Sequence, residues 1–206
     1  DEEIAVYEGE IGGLPVMTSN SHTRCTTRTA EAMEYIEAKL GERIDLIVMV
    51  QGDEPLILPE TITETLDHFS DPTVEIVNVM SRLSNYESFV DKNNVKVVVK
   101  QNNDALYYSR EPIPSPWRGL EGLPMYMQTG IIVFRRDTLL RFNEMEESRL
   151  EQIESVDMNR ILESGGRIRM VLTEVTTIGV DTPQELKEAE KLMDGDPATL
   201  SQYMTR

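Results

Sequence analysis

Apolar positions along the chain follow two spacings, which predict strands and helices in turn. Residues 44–50 (IDLIVMV) form a nearly continuous apolar run, the pattern of a strand covered on both faces in a parallel sheet. Residues 28–40 carry apolar side chains at helical spacing, and Gly41 closes that helix. Pro59 opens a further helix, since proline suits the first helical position. The order is therefore helix, strand, helix.

The remaining apolar segments extend this alternation. We predict strands at 15–17, 75–80, 95–99, 105–108, 130–134 and 168–172, and helices at 150–163 and 183–193. The Pro- and Gly-rich residues 113–124 predict a long ordered loop. Strands alternating with helices predict an α/β fold, with a doubly wound, mostly parallel sheet in a three-layer α/β/α arrangement. We expect one domain over residues 1–206.

Composition narrows the classes of function. No apolar run approaches the roughly 18 residues that cross a bilayer, and no signal peptide is evident. The single cysteine, Cys25, excludes an internal disulfide and fits a reducing cytoplasm. A net charge of −17 argues against broad nucleic-acid binding. It leaves room for a small anionic ligand held by helix N-termini, a few basic side chains or a divalent cation.

Asp53 follows the strand predicted at residues 44–50. Ligands of open α/β sheets lie beyond the carboxyl ends of the strands, which is where Asp53 stands. Gly52 beside it allows a tight turn. Acids that precede a helix also cap its first turn, so this segment alone leaves capping and catalysis both open.

A second acid, Asp181, also follows a predicted strand, and Pro183 comes two residues after it. Either Asp181 or Thr182 could cap the helix that Pro183 opens. Two carboxylates at one edge of a sheet are, however, what Mg²⁺ takes from a protein. We therefore favour a magnesium site formed by Asp53 and Asp181.

Two further residues could face a ligand. Asp157 lies on the apolar stripe of the helix predicted at residues 150–163, so it either lines a pocket or sits solvated at the edge of the stripe. Arg110 ends a predicted strand and could bind a carboxylate or a phosphate through its two-pronged guanidinium. The plainer interpretation of Arg110 is a surface ion pair with one of many acids.

Taken in order, these segments resemble the 3-deoxy-manno-octulosonate cytidylyltransferase family, the CMP-Kdo synthetases. The resemblance rests on VQGDEP at 50–55, VKVV at 95–98, ALYYSR at 105–110, IP at 113–114, LEQIE at 150–154 and GVDTP at 179–183. Three of these motifs together, QGDEP, ALYxSR and GVDTP, are specific, although none is so alone. The resemblance implies a nucleotide-diphospho-sugar transferase-like fold.

The resemblance also implies a reaction, the transfer of CMP from CTP to Kdo or a related 3-deoxy-ulosonic acid with release of pyrophosphate. It assigns catalysis and Mg²⁺ binding to Asp53 and Asp181, nucleotide binding to Thr26, Arg28, Gln51 and Gly52, and sugar-acid binding to Gln51, Arg110, Gln128 and Asp157. It implies a cytoplasmic enzyme of lipopolysaccharide biosynthesis.

By the same resemblance we expect a homodimer formed through residues 109–136. Trp117, Tyr126 and Phe134 suit such an interface, although these aromatics could equally cover the protein's own sheet.

The chain departs from the family pattern at several places. The family's phosphate-binding loop is expected several tens of residues before Asp1, so we interpret the sequence as N-terminally incomplete. In the cytosine-reading segment, residues 22–28 (HTRCTTR), Cys25 replaces a glycine and Thr27 an acid, next to an added Arg24. Two sugar-contacting positions of the family, a His and a Tyr, hold Gln128 and Ile132 here, and Met158 stands beside Asp157 where the family usually has Gln. The alternatives are an enzyme for a sialic-like acid or other sugar, and a truncated, inactive chain with a binding or assembly role.

Overall fold

The computed structural model describes residues 1–174, 179–180 and 182–195. The chain forms two compact units, one of residues 1–47 and 135–146 and one of residues 48–134 and 147–206. The single domain expected over residues 1–206 stays a prediction.

Helices and strands are interspersed through the described residues, with β3 to β5 and α5 to α7 each following one another directly. The helices are α1 (Glu2–Glu10), α2 (Cys25–Leu40), α3 (Pro59–Asp67), α4 (Tyr86–Val90), α5 (Arg136–Glu144), α6 (Arg149–Glu154), α7 (Met158–Glu163) and α8 (Pro183–Gly195). The strands are β1 (Leu46–Val50), β2 (Ile76–Arg82), β3 (Lys96–Val99), β4 (Ala105–Ser109), β5 (Tyr126–Arg135) and β6 (Arg169–Thr173). Pro59 is the first residue of α3 and Gly41 ends α2 in a left-handed conformation, so both of these predictions are confirmed.

The first unit contains α1, α2 and α5. Arg136, at the start of α5, donates to both carboxylate oxygens of Glu37 in α2, at 2.7 and 2.8 Å. This hydrogen bonding lowers the pKa of Glu37 to about 2. The strand predicted at residues 15–17 is wrong, since these residues form neither strand nor helix. Pro15 has no N–H to donate to a ladder, and only two apolar residues follow it.

The sheet has the order β4-β3-β5-β2-β6, and β1 pairs with β5. Only β2 and β6 are parallel among the pairs whose direction the described residues settle, whereas β2/β5, β3/β4 and β3/β5 are antiparallel. The expectation of a mostly parallel sheet is therefore wrong. A parallel pair needs a long crossover, and the short turn at residues 100–104 can only return β4 antiparallel to β3.

A bulge interrupts the pairing of β2 with β5. Asn78 lies opposite Ile132 and Met80 opposite Gln128, so β5 has extra residues at this point. The buried Asn78 amide donates to the carbonyls of Thr129 and Ile131, at 3.2 and 2.9 Å. The bulge is thus stabilised by a side chain, and Gly130 lies within it.

The helix predicted at residues 150–163 is two helices, α6 and α7, because Ser155 takes a left-handed φ of 54° between them. Ile153, expected on the buried stripe, is 65% exposed. The apolar spacing continued across the break, and nothing in it marked Ser155 as the end of a helix.

The corner between α6 and α7 covers the outer edge of β4. The Tyr108 N–H donates to Asn159 Oδ1 at 3.3 Å, and Asn159 Nδ2 donates to the Tyr108 carbonyl at 3.1 Å. Glu154 Oε2 accepts from the Arg110 N–H at 2.8 Å. Side chains therefore take the hydrogen bonds that a further strand would make.

Other expectations have mixed outcomes. In β1, Ile47 and Met49 are buried but Val50 is 44% exposed, so the strand is not covered evenly on both faces. Residues 113–124 form the expected loop, without helix or strand. Three helices, α1, α4 and α5, were not predicted from apolar spacing. Within the described ranges, no helix combines the length and hydropathy needed to cross a membrane.

The Glu151–Arg160 pair is the most deeply buried ion pair among the described residues, with two contacts of 2.6 Å and both side chains at most 5% exposed. Because the substitution Glu151→Ala removes both of these carboxylate contacts from a buried guanidinium, we expect a loss of about 3–5 kcal/mol in the free energy of unfolding. Urea denaturation measures this loss. Gln152→Ala, on the exposed side of the same helix, should change the free energy by less than about 0.5 kcal/mol. Equal effects of the two substitutions would contradict the prediction.

Candidate active site

Asp53 lies in a turn directly after β1. The Glu54 N–H donates to the Gln51 carbonyl at 3.3 Å, which closes the turn around Gly52 and Asp53. The next helix, α3, begins at Pro59 and has Leu58 at its N-cap position. Asp53 therefore does not cap α3, and the alternative of a capping role for Asp53 is wrong.

Each carboxylate of this turn has one buried oxygen without a hydrogen-bond partner among the described residues. Asp53 Oδ1 and Glu54 Oε2 are both inaccessible to solvent and have no hydrogen-bond partner within the described part of the chain. Burial raises the pKa of the Glu54 carboxyl, a hydrogen bond from Gly130 opposes this rise, and the charge of Asp53 adds to it. Since unpartnered buried carboxylate oxygens are costly, the turn is suited to a bound cation.

Gly130 of β5 anchors the turn. Its carbonyl accepts from the Gln51 N–H at 3.0 Å, and its N–H donates to Glu54 Oε1 at 2.6 Å. A Cβ on Gly130 would lie 2.8 Å from Gln51 Cβ, so only glycine allows this approach. Gly52, expected to be needed for tight turning, has no left-handed φ and has open space where a Cβ would stand. The structurally required glycine is Gly130, which the sequence showed only as the start of a strand.

The segment that carries Asp181 reaches the same turn. The Val180 N–H donates to the Asp53 carbonyl at 2.8 Å. Thr182 and Glu185 cap α8 reciprocally, with the Thr182 N–H donating to Glu185 Oε2 at 2.7 Å and the Glu185 N–H to Thr182 Oγ1 at 3.3 Å. The cap is therefore Thr182. Asp181 itself lies outside the described residues, and its role as a metal ligand stays a prediction.

Gln128 stands on β5 two residues before Gly130. Its N–H donates to the Val95 carbonyl at 2.9 Å, and its side-chain Oε1 is buried without a partner among the described residues. Ile132, the other departure on this strand, is buried in the core. Of these two positions, Gln128 is the one with an unused polar atom for a ligand.

Arg110 is held by the end of α6. Its guanidinium donates to the carbonyls of Glu154 and Lys92, both at 2.8 Å, and to that of Ser155 at 3.5 Å. Arg110 thus caps carbonyls at a helix C-terminus, a structural role that the sequence did not suggest. Binding of the substrate carboxylate by Arg110 stays a prediction. At most two of the five guanidinium N–H groups remain for that contact, because three donate to these carbonyls.

Asp157 is half-buried and comes directly before α7. The apolar stripe on which it was expected does not exist, because α6 ends at Glu154. The neighbouring Met158 is wholly buried, whereas Asn159 ties this corner to β4 through Tyr108. Asp157 therefore has a fixed position, and its contact with a sugar acid stays a prediction.

The predicted nucleotide-binding segment folds against the start of α2. The His22 ring bonds to Thr27 Oγ1 at 3.1 Å and also to Glu31. Arg28 donates to the carbonyls of Ser19 and His22, at 3.3 and 3.4 Å.

Two residues of this segment were predicted to bind the nucleotide. Thr26 is wholly buried, so its side chain offers nothing to solvent, and Arg28 is exposed. Nucleotide binding by Thr26 and Arg28 stays a prediction.

A polar cleft of about 350 Å³ opens in the second unit. It is lined by hydroxyl, amide and charged side chains together with Met127 and Gly179, whose neighbours Gln128 and Val180 have been described above. The polar lining consists of Ser81, Arg82, Ser84, Asn85, Ser88, Asp91, Asn94, Glu185 and Glu188. Such a lining suits a ligand with many hydroxyl groups.

The donors around Asp53 fit a magnesium ion, which prefers oxygen and commonly takes only one or two carboxylates from a protein. No group of three or more His, Cys, Asp or Glu residues that could hold a metal occurs within the ranges the structure describes. The fit therefore rests on the unpartnered oxygens of this one turn rather than on a closed protein cage.

The Glu154 carboxylate gives a testable pH dependence. Burial raises its pKa, but hydrogen bonds from Arg110, Tyr107 and Ser109 outweigh this, and the pKa lies below the usual 4.5. The carboxylate therefore stabilises the fold above pH 4.5, and this contribution is lost as the pH falls through the lowered pKa. We expect Glu154→Gln to reduce the free energy of unfolding most near pH 7, with the difference from wild type shrinking below pH 4.5.

Urea denaturation at several pH values measures this difference. Glu146→Gln, at an exposed acid, serves as the control and should show no such trend. A Glu154→Gln deficit that stays constant from pH 7 to pH 3 would contradict the assignment.

Comparison with known proteins agrees with this architecture. The family model for cytidylyltransferases matches residues 1–170. The 3-deoxy-manno-octulosonate cytidylyltransferase of Geobacter metallireducens is 40% identical over 204 residues, which cover 93% of this chain and 78% of the relative. That of Bacteroides thetaiotaomicron is 36% identical over 203 residues, covering 94% and 79%.

Solved structures extend the comparison. A CMP:2-keto-3-deoxy-manno-octonic acid synthetase complexed with CTP superposes with a TM-score of 0.83 at 34% identity, covering 95% of this chain and 78% of the other. A Bacillus anthracis protein described as a glucose-1-phosphate thymidylyltransferase, solved with sucrose, has a TM-score of 0.60 at 17% identity, covering 93% and 71%, and shares the fold alone. The α/β nucleotide-diphospho-sugar transferase-like fold is thereby confirmed. The chain belongs to the cytidylyltransferases, and within them to the family of 3-deoxy-manno-octulosonate cytidylyltransferases.

Proposed function

We propose that this protein transfers CMP from CTP to Kdo or a closely related 3-deoxy-ulosonic acid. The anomeric hydroxyl oxygen forms a bond to the α-phosphorus, the bond from that phosphorus to the β-phosphate bridge breaks, and pyrophosphate leaves as the hydroxyl loses its proton. The observation that carries the proposal is the likeness to a CTP-bound synthetase at a TM-score of 0.83, joined with the buried acidic turn at Asp53.

The chain's own residues divide the work in this proposal. Asp53, with Asp181, would hold Mg²⁺, which when bound supplies positive charge beside the phosphate oxygens. Gly130 of β5 holds the turn through its backbone N–H and carbonyl. Thr26, Arg28, Gln51 and Gly52 are proposed for CTP, and Gln51, Arg110, Gln128 and Asp157 for the sugar acid.

The polar cleft supports a polyhydroxylated acceptor. Its serine and asparagine side chains offer both donors and acceptors for hydroxyl groups. Arg82 is the one cation of this lining, beside the carboxylates of Asp91, Glu185 and Glu188. The guanidinium carbon of Arg82 lies over the Tyr126 ring, 5.1 Å from the ring centre. This contact restrains the Arg82 side chain at the C-terminal end of β2.

A homodimer formed through residues 109–136 is part of the proposal. Trp117 is 89% exposed on the loop before β5, which supports an apolar contact there, and Tyr126 is half-buried. Phe134 is wholly buried within its own chain, so this aromatic covers the protein's own sheet. A cytoplasmic location is proposed as well, in keeping with a single cysteine that can form no internal disulfide.

Pyrophosphate release tests the substrate assignment. The full chain is incubated with Mg²⁺, with CTP, UTP or GTP, and with Kdo or a sialic acid. We expect release only with CTP and a 3-deoxy-ulosonic acid. Release with a sialic acid alone would favour the alternative acceptor. Calorimetric binding of CTP without release in any combination would favour a binding role.

Asp53→Asn tests the metal-binding role. Because Asp53 Oδ1 is buried and unpartnered within the described residues, removing its charge should not destabilise the fold. We expect a loss of at least about 100-fold in kcat, of the order seen when a charge-stabilising group is removed. The melting temperature should be unchanged or higher. A large fall in melting temperature would instead assign Asp53 a structural role.

A further inference from the structure

Glu54 is fixed by a single strong contact on one side of its carboxylate. Oε1 accepts the Gly130 N–H at 2.6 Å, within the range of a charge-assisted hydrogen bond. The absence of a side chain on Gly130 makes this contact possible, because a Cβ there would lie 3.0 Å from Glu54 Cγ. The rotamer of Glu54 is therefore set by β5 and not by solvent.

The other side of the same carboxylate has no such partner. Glu54 Oε2 is buried, and within the described residues nothing donates a hydrogen bond to it. Asp53 Oδ1, one residue earlier in the turn, is also buried and accepts no hydrogen bond from the described residues. Two adjacent carboxylates, each with a buried oxygen left open, would repel one another unless a positive charge lay between or beside them.

A divalent cation accounts for both oxygens at once. Mg²⁺ takes one or two carboxylates directly and keeps several waters, which need acceptors of their own. A carboxylate locked by a backbone N–H and presenting its second oxygen is the kind of group that orients such waters.

We propose that Glu54 is a positioning residue of the cation site, which accepts hydrogen bonds from the hydration shell of a Mg²⁺ ion bound to Asp53. This inference rests on the Mg²⁺ site of the proposed function and adds a residue to it. Glu54 has two tasks, since Oε1 fastens the Asp53 turn to β5 and Oε2 serves the ion.

The substitution Glu54→Gln separates these tasks. The amide oxygen still accepts from the Gly130 N–H, but the negative charge is gone. The measurement is the melting temperature of the full chain without nucleotide, followed over a range of Mg²⁺ concentrations. We expect the apparent affinity for Mg²⁺ to fall by about 10- to 100-fold, the usual loss when a partner of the metal-bound groups is changed.

The stability of the metal-free protein is the second readout. We expect Glu54→Gln to melt at the same or a higher temperature than wild type without Mg²⁺, because an open buried charge has been removed. A purely structural Glu54 would give the reverse, namely a lower melting temperature and an unchanged response to Mg²⁺. That result overturns the proposal, as does a wild-type protein with no response to Mg²⁺.

Two matched variants calibrate the experiment. Glu64→Gln makes the same charge change at an exposed position of α3 and should keep the affinity within about 2-fold of wild type, since solvent and salt screen an exposed charge. Asp53→Asn removes the direct ligand and should lose the response to Mg²⁺ altogether.

If the Glu54→Gln response is weakened but no nucleotide is turned over, the inference stands while the proposed function fails. The opposite pattern rejects only the inference.

Discussion

The backbone of Gly130 is the point on which the candidate site depends. One carbonyl and one N–H of this residue hold both ends of the Asp53 turn, through Gln51 and Glu54. A side chain at this position would lie too close to Gln51 and Glu54 for both contacts to form as they stand. The bulge of β5 and the Asn78 amide that stabilises it are therefore part of the site, although no chemistry is assigned to them.

Sequence patterns predicted the site's acids better than their surroundings. Asp53 could be recognised because it follows a long apolar run, and the position of a strand end does not depend on the direction of its neighbours. The direction of β3, β4 and β5 depends on how the chain returns between them, which apolar spacing does not encode. Thr182 and Asp181 show the same limit, since both suit a helix cap, and only the hydrogen bonds with Glu185 identify Thr182.

Residues that act through the backbone were the hardest to find. Glu154 and Asn159 stood in a segment whose apolar spacing suggested one helix, and their tasks arise only where that helix breaks at Ser155. Arg110 was expected to form a surface ion pair or, by the family resemblance, to bind the substrate carboxylate. Its contacts with Glu154 and Ser155 could not be inferred, since they follow from the corner that α6 forms against β4.

The amide of Asn159 has a further consequence, which concerns aggregation. By donating to and accepting from the same residue, Tyr108, it mimics the paired hydrogen bonds of a neighbouring strand. An open strand edge is a template on which another chain can add itself and start an aggregate. One buried side chain occupies that template at Tyr108, so the outermost strand of the sheet is sealed there against recruitment of a foreign strand.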